Sequence, residues 1–311
     1  MSFQLRRRLS EVTPPRATLR ARLLAAGFGG GIHRAERRGS GVEFASHREY
    51  MPGDDLRHLD RHALLRHGRH LIREFHTETE RALWLLVDAS PSMYFRGENT
   101  LDSKRGVALL LAAGLAQLAR RSGDPVGVSL LRPAGAVSLA PRSGVEQFER
   151  IMSLLEQEDQ GPLTGDVTVD VSAAIDDIGR RAARGSGVVV ISDLLDRAPR
   201  LATDLASLCT KRRSVTVAQV LDPDEVNFPY RGAIRLRDAE SSFVVDTDAE
   251  RVREGYLQAL ARLSDEIARA VRGGGGEFLR VQSSDNPALT LRQIQRRIAG
   301  QPERDYDGGG S

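Results

Sequence analysis

The sequence predicts an α/β fold, a doubly wound, mostly parallel sheet with an N-terminal arm packed on it. Three observations carry this expectation. Two short runs, 82–87 and 188–191, are wholly apolar, as strands buried on both faces of a parallel sheet are. Between and after them lie segments whose apolar residues recur at helical period. Both runs then stop at a carboxylate, Asp88 and Asp193. That places two acids at the carboxyl edge of the sheet, where open α/β proteins bind ligands.

The elements follow in order. Residues 1–31 form a basic arm and short helix that ends in Gly27-Phe28-Gly29-Gly30-Gly31. Residues 32–80 form a polar, Arg- and His-rich arm with few periodic apolar positions. From residue 81 to 299 strands and helices alternate, which argues for a sheet covered on both faces. After the strand ending at Asp88, Val107, Leu110, Leu111, Gly114, Leu115 and Leu118 share one face of a helix near 102–122, closed by Gly123-Asp124-Pro125. A strand at 126–131 follows, then a hairpin partner near 136–139, and helices near 144–157 and 169–183. The second apolar strand, a helix near 199–211 and a β-branched strand at 214–220 make a further βαβ unit. A hairpin insertion near 225–247 precedes a long helix at 249–272, a strand at 278–281 and a helix at 287–298. Residues 300–311 are expected to be a disordered tail.

Composition bounds the function. The chain has 311 residues, 40% hydrophobic and 28% charged, as ordinary globular proteins do. No apolar run approaches the roughly 18 residues that span a bilayer, and the basic N-terminus lacks a secretory h-region. A cytoplasmic location is expected, with peripheral attachment to a membrane as the alternative. The single Cys209 shares a helical face with Leu201, Leu205 and Leu208 and reads as a buried structural thiol. The first 80 residues hold 15 Arg against 10 Asp and Glu and all seven His; only Lys104 and Lys211 in the whole chain are lysines. So slight a basic excess with interleaved acids reads as a solvated face, and nucleic acid is not expected as a partner.

The stretch richest in chemistry is Asp88-Ala89-Ser90-Pro91-Ser92. One carboxylate and two hydroxyls form an oxygen-only set that suits a hard cation, whereas a soft metal would call for Cys or His. The bland reading is a turn capped by Ser and Pro. Asp193 at a second strand end, with Thr164, Asp166 and Thr168 in an intervening loop, favours the metal reading. Most ligands would be neutral, so a bound ion would keep charge to accept a carboxylate from a partner. Mg²⁺ is expected, with Mn²⁺ or Ca²⁺ as alternatives. His58 and His62, four apart, read as surface histidines because zinc needs three or four ligands.

Upstream, Glu43-Phe44, Arg48-Glu49-Tyr50, Pro52-Gly53-Asp54-Asp55, Arg57, Leu59-Asp60 and Arg73-Glu74-Phe75 form a distinctive pattern. With Asp88-x-Ser90-x-Ser92, Gly123 to Gly127, Ile191-Ser192-Asp193-Leu194, Asp222-Pro223-Asp224-Glu225 and Val245-Asp246-Thr247, it resembles the bacterial domain-of-unknown-function family 58, a branch of the von Willebrand factor A superfamily. The resemblance covers roughly 32–285. It implies a von Willebrand factor A (Rossmann-like) domain and a metal-ion-dependent adhesion site of Asp88, Ser90, Ser92, Thr168 and Asp193, with Thr164 as the second choice of Thr. The family's Trp after the arm's Asp is Arg61 here, and its threonine-aspartate-leucine is blurred across 165–171.

Tyr50, Pro52, Gly53, Asp54, Asp55, Arg57 and Asp60 form a candidate docking arm. Their plain alternative is a turn, a helix cap and paired charges. The resemblance implies a metal-dependent adaptor or chaperone-like binding module rather than an enzyme. Its expected partner is a MoxR-type AAA+ ATPase, a client protein offering a carboxylate, or both. This chain has no G-x-x-x-x-G-K-[ST] of its own. The alternatives are a metal-assisted hydrolase using Asp88 and nucleic-acid binding through the basic arm. No G-x-S-x-G elbow supports Ser90 or Ser92 as an esterase nucleophile.

Overall fold

The computed structural model describes residues 3–13, 43–49, 71–76, 82–98, 100–132, 135–160, 171–195, 200–210, 213–239 and 243–298. Two units divide the chain: Met1–Phe28 joined with Ala82–Ser311, and Gly29–Arg81 between them. In the smaller unit, strands β1 (Glu43–Glu49) and β2 (Leu71–His76) pair antiparallel.

The larger unit is built on a six-stranded sheet. Its strands are β3 (Leu83–Asp88), β4 (Val126–Leu131), β5 (Val137–Arg142), β6 (Gly187–Ser192), β7 (Ser214–Leu221) and β10 (Glu277–Gln282), in the order β10-β7-β6-β3-β4-β5. All neighbours are parallel except β5, which runs antiparallel along β4 at one edge. A separate hairpin of β8 (Ala233–Arg237) and β9 (Val244–Asp248) holds the expected insertion. The expected doubly wound, mostly parallel α/β sheet is the observed one. Every residue of β3, β4 and β6 is buried, which is why their sequences show no polar alternation.

Side-chain alternation along β3 divides the core. Leu83, Leu85 and Val87 enter a cluster with helices α1 (Phe3–Val12), α2 (Lys104–Ser122), α3 (Val145–Gln160) and α8 (Pro287–Ile298). Trp84 and Leu86 enter the opposite cluster, with α4 (Val171–Arg181), α5 (Leu201–Leu208) and α7 (Ala249–Gly273). Helix α1 belongs fully to this unit. Leu5, Leu9 and Val12, spaced on one helical face, are buried in the first cluster. Arg6 on the same helix bonds Glu149 at 2.9 Å and Glu156 at 2.7 Å on α3.

Two helix ends matter to the site. Ser103 caps α2, its hydroxyl accepting from Gly106 N–H at 3.1 Å. The one-turn helix α6 (Pro223–Asn227) opens with a capping box: Asp222 accepts from Asp224 N–H at 2.9 Å, and Glu225 accepts from Asp222 N–H at 2.8 Å. Cys209 is buried beside Leu201, Leu205 and Leu208, as expected of a structural thiol. Among the described residues no helix is long and apolar enough to cross a membrane.

Candidate metal centre

The site lies where the sheet changes direction. The chain leaves β3 for β4 on one side and returns through β6 on the other. Successive connections diverge at that point, which opens a crevice at the carboxyl edge. Asp88 ends β3, and Asp193 follows the last residue of β6.

After Asp88 the chain turns into a 3₁₀ segment, Pro91–Tyr94, with Ser90 as its cap and Pro91 at the first helical position. Asp88 Oδ1 accepts from Ser90 N–H at 2.8 Å. Asp88 Oδ2 accepts from the Ser192 hydroxyl at 2.5 Å, so β6 braces the carboxylate of β3. Ser192 Oγ in turn accepts from Leu194 N–H at 3.0 Å. Burial, the neighbouring Asp193 charge and little solvent push the Asp88 pKa up to about 6, against the pull of Ser192 and Ser90. A carboxylate so desolvated and so close to another gains from any added positive charge.

The donor set fits a small hard cation. Ser90 Oγ and Ser92 Oγ stand 3.1 Å apart. Adjacent corners of an octahedron with Mg–O bonds of 2.0–2.1 Å are separated by about 2.9–3.0 Å, so one ion can take both hydroxyls with little movement. Each Asp88 oxygen keeps a second lone pair beside its bond from Ser90 N–H or the Ser192 hydroxyl, enough to hold an ion-bound water. Asp88, Ser90 and Asp193 are each under 4% exposed, while Ser92 is partly open to solvent. Among the described residues no group of three or more His, Cys, Asp or Glu could hold an ion by itself, so a cation here would depend on the hydroxyls.

Asp193 is held differently. Its Oδ1 accepts from Leu195 N–H at 3.2 Å, and its carbonyl accepts from Gln219 Nε2 at 3.0 Å. Leu194, just after it, is a buried non-glycine residue with φ of 55°, a left-handed conformation that costs about 1–2 kcal/mol. The turn therefore aims the acid at the expense of backbone comfort. Asp193 Oδ2 accepts from the Lys104 ammonium at 2.8 Å. Lys104 Nζ also reaches Glu225 Oε1 at 2.6 Å and is fully buried. Burial alone would push this lysine's pKa down, but Asp193 and Glu225 outweigh it and hold the pKa above the ordinary value.

Of the residues expected from sequence, Asp88, Ser90, Ser92 and Asp193 come together around the β3 and β6 ends. The roles of Ser192, Lys104 and Glu225 were not anticipated. Ser192 stood beside a recognised strand end, and Glu225 stood in a recognised motif. Lys104 carried one signal, its rarity among 45 basic residues. Thr164, Asp166 and Thr168 lie outside the described residues, as do Tyr50, Pro52, Gly53, Asp54, Asp55, Arg57 and Asp60 of the arm and His58 and His62. The segment carrying the threonines starts where α3 ends, and that end is anchored. Arg105 donates to the Glu158 and Asp159 carbonyls at 2.9 and 3.2 Å while stacking 3.7 Å from the Tyr94 ring centroid.

The loop after the 3₁₀ segment is held by the α6 acids. Asp222 Oδ2 accepts from Gly97 N–H at 3.1 Å, Thr100 Oγ1 at 3.2 Å and Ser283 Oγ at 2.8 Å. Glu98 N–H donates to Asp224 Oδ2 at 3.3 Å.

Fold and site together define a doubly wound α/β domain with a cluster of carboxylate and hydroxyl oxygens at the sheet's crevice. The chain belongs to the family described as protein of unknown function DUF58, whose model matches residues 46–266. It is 29% identical over 264 residues to uncharacterized proteins of Mycobacterium tuberculosis and Mycobacterium bovis, covering 84% of this chain and 81% of each relative. Solved structures of similar fold include the conserved hypothetical protein BatB from Bacteroides thetaiotaomicron, with 22% identity and a TM-score of 0.47 over 71% of this chain and 98% of that one. Another is the SpRpn10 VWA domain, with 9% identity and a TM-score of 0.41 over 72% and 99%.

Proposed function

We propose that this chain is a metal-dependent protein-binding module, an adaptor or chaperone-like partner that acts with a MoxR-type AAA+ ATPase on client proteins. The observation that carries the reading is the pair of hydroxyls 3.1 Å apart beside a buried carboxylate at the switch point of the sheet. Ser90 and Ser92 would hold a divalent cation directly, with Thr168 as the expected third hydroxyl. Asp88 and Asp193 would orient its waters. The cation would supply a Lewis-acidic position for a carboxylate from the partner. Asp88, Ser90 and Asp193 are buried while Ser92 is partly exposed, so Ser92 marks the side a partner would meet.

The hydrolase alternative is less well supported by the same geometry. Both Asp88 oxygens accept hydrogen bonds, from Ser90 N–H and the Ser192 hydroxyl, which lowers the carboxylate's nucleophilicity.

The test combines metal and partner. The intact chain and Asp88→Ala are compared for Mg²⁺-dependent thermal shift and for retention of a MoxR-type ATPase from the same organism, in Mg²⁺ and in EDTA. The reading expects the shift and the retention to vanish together in the variant and in EDTA. Retention in all four conditions would overturn metal dependence. Asp88-dependent turnover of phosphatase or esterase substrates would favour the hydrolase.

A further inference from the structure

Lys104 is at odds with its surroundings in three ways. It is the first residue of α2, where the helix dipole disfavours a cation. It is completely buried, a state that costs a lysine heavily unless it is paired. It is also one of only two lysines in a chain whose other basic residues are arginines. Arginine would bring a planar fork of donors, whereas lysine brings a compact, movable point charge. Here that charge bridges one oxygen of Asp193 at 2.8 Å and one of Glu225 at 2.6 Å. The Phe95 ring covers it, its centroid 6.0 Å from Nζ.

We infer that Lys104 is a resident cation of the metal centre, set between Asp193 and Glu225 to oppose a divalent ion and keep that ion weakly held and exchangeable. The inference rests on the metal reading of the same site and adds what regulates it. With the ammonium on Asp193 Oδ2 and Leu195 N–H on Oδ1, both oxygens of that acid are engaged. A divalent ion approaching Asp193 must share the carboxylate with Lys104 and bear the repulsion of a neighbouring positive charge in a poorly solvated site. Glu225 moderates this by drawing part of the ammonium's charge away from Asp193. The pair therefore sets the metal affinity from opposite sides: Lys104 lowers it and Glu225 raises it. The ion would bind tightly only when an incoming carboxylate adds the negative charge that Lys104 has cancelled, which links cation retention to partner binding.

The test uses Mn²⁺ as the probe. Free Mn²⁺ is counted by electron paramagnetic resonance in titrations of the full chain, Lys104→Met and Glu225→Gln, with folding followed by circular dichroism. Lys104→Met is expected to bind Mn²⁺ at least about tenfold more tightly, because one repelling unit charge in a poorly solvated site is worth that much or more. Glu225→Gln keeps an amide oxygen for the Asp222 N–H and is expected to bind more weakly than the native chain. Equal affinity in the native chain and Lys104→Met overturns the inference and leaves the metal reading standing. Binding by Lys104→Met with native binding too weak to measure supports the inference, since the native ion is held firmly only once a partner carboxylate is added. Binding by neither overturns both. If Lys104→Met unfolds in EDTA, refolding by Mn²⁺ supports the inference. If it stays unfolded, Glu225→Gln decides, with unchanged or tighter binding overturning it.

Discussion

At the scale of single residues, the site depends on how a buried carboxylate is kept satisfied. Asp88 is 2% exposed and has two close donors, one from its own turn and one from the neighbouring strand. Ser192 is therefore part of the site although it would touch no metal. Ser192→Ala leaves Asp88 Oδ2 without its donor. It is expected to destabilise the protein by about 1–3 kcal/mol in urea titrations in EDTA, with Ser192→Thr recovering most of the loss. No change for Ser192→Ala would mean that solvent supplies the missing bond. The four Asp and Ser positions were legible because strand ends and oxygen-rich turns leave marks in a sequence. The expected turn at Ser90-Pro91-Ser92 is present, and its 3₁₀ geometry is what brings the two hydroxyls together. Lys104 was not legible. A lysine just after a helix cap normally lies in water, and only the fold brings residues 193 and 225 to it.

At the scale of elements, agreement follows burial. Strands and helices whose apolar residues face a core were predicted within a few residues, and the last helix, Pro287–Ile298, at the same bounds. Helix α5 stops at Leu208, sooner than its pattern suggested. Cys209 follows it, its thiol 3.5 Å from the Leu205 carbonyl and 3.7 Å from that of Val271. The β1–β2 pair was not anticipated, because Glu43–Glu49 is mostly polar and shows no alternation to read. Nor was the clamp on the loop after the 3₁₀ turn. There Gly97 sits so near α6 that an added Cβ would lie 2.6 Å from Asp224 Oδ2 and also meet Asp222. Gly97→Ala is expected to push the loop off these acids and break the Gly97 N–H bond to Asp222. Hydrogen exchange should then rise at least about tenfold at Gly97 and Glu98, the loss of about 1.4 kcal/mol of local protection, while β3 and β6 stay protected. Unchanged exchange would show that the acids yield without cost.

At the scale of the whole molecule, the larger unit is assembled from two stretches of chain that flank Gly29–Arg81. A fragment starting at Ala82 would contain every strand of the main sheet and still lack part of its core. It loses Leu5, Leu9 and Val12, each at most 7% exposed. At about 1.5–3 kcal/mol for each buried aliphatic side chain, an upper bound, the deficit is on the order of 5 kcal/mol. Urea titrations are expected to show a markedly lower midpoint for the fragment. A chain that keeps residues 1–28 and replaces 29–81 with a Gly/Ser linker should show a higher midpoint than the fragment. Equal midpoints for fragment and full chain would show that α1 adds nothing to the fold. The same packing has a consequence for synthesis on the ribosome. Helix α1 shares its buried cluster both with α2 and with Leu291, Ile294 and Ile298 of α8, which are among the last of the described residues to be translated. Part of its apolar stripe can be covered early by α2, but the rest waits for α8. The nascent chain thus keeps part of that stripe open to chaperones and to wrong contacts until α8 is made and closes that side of the unit.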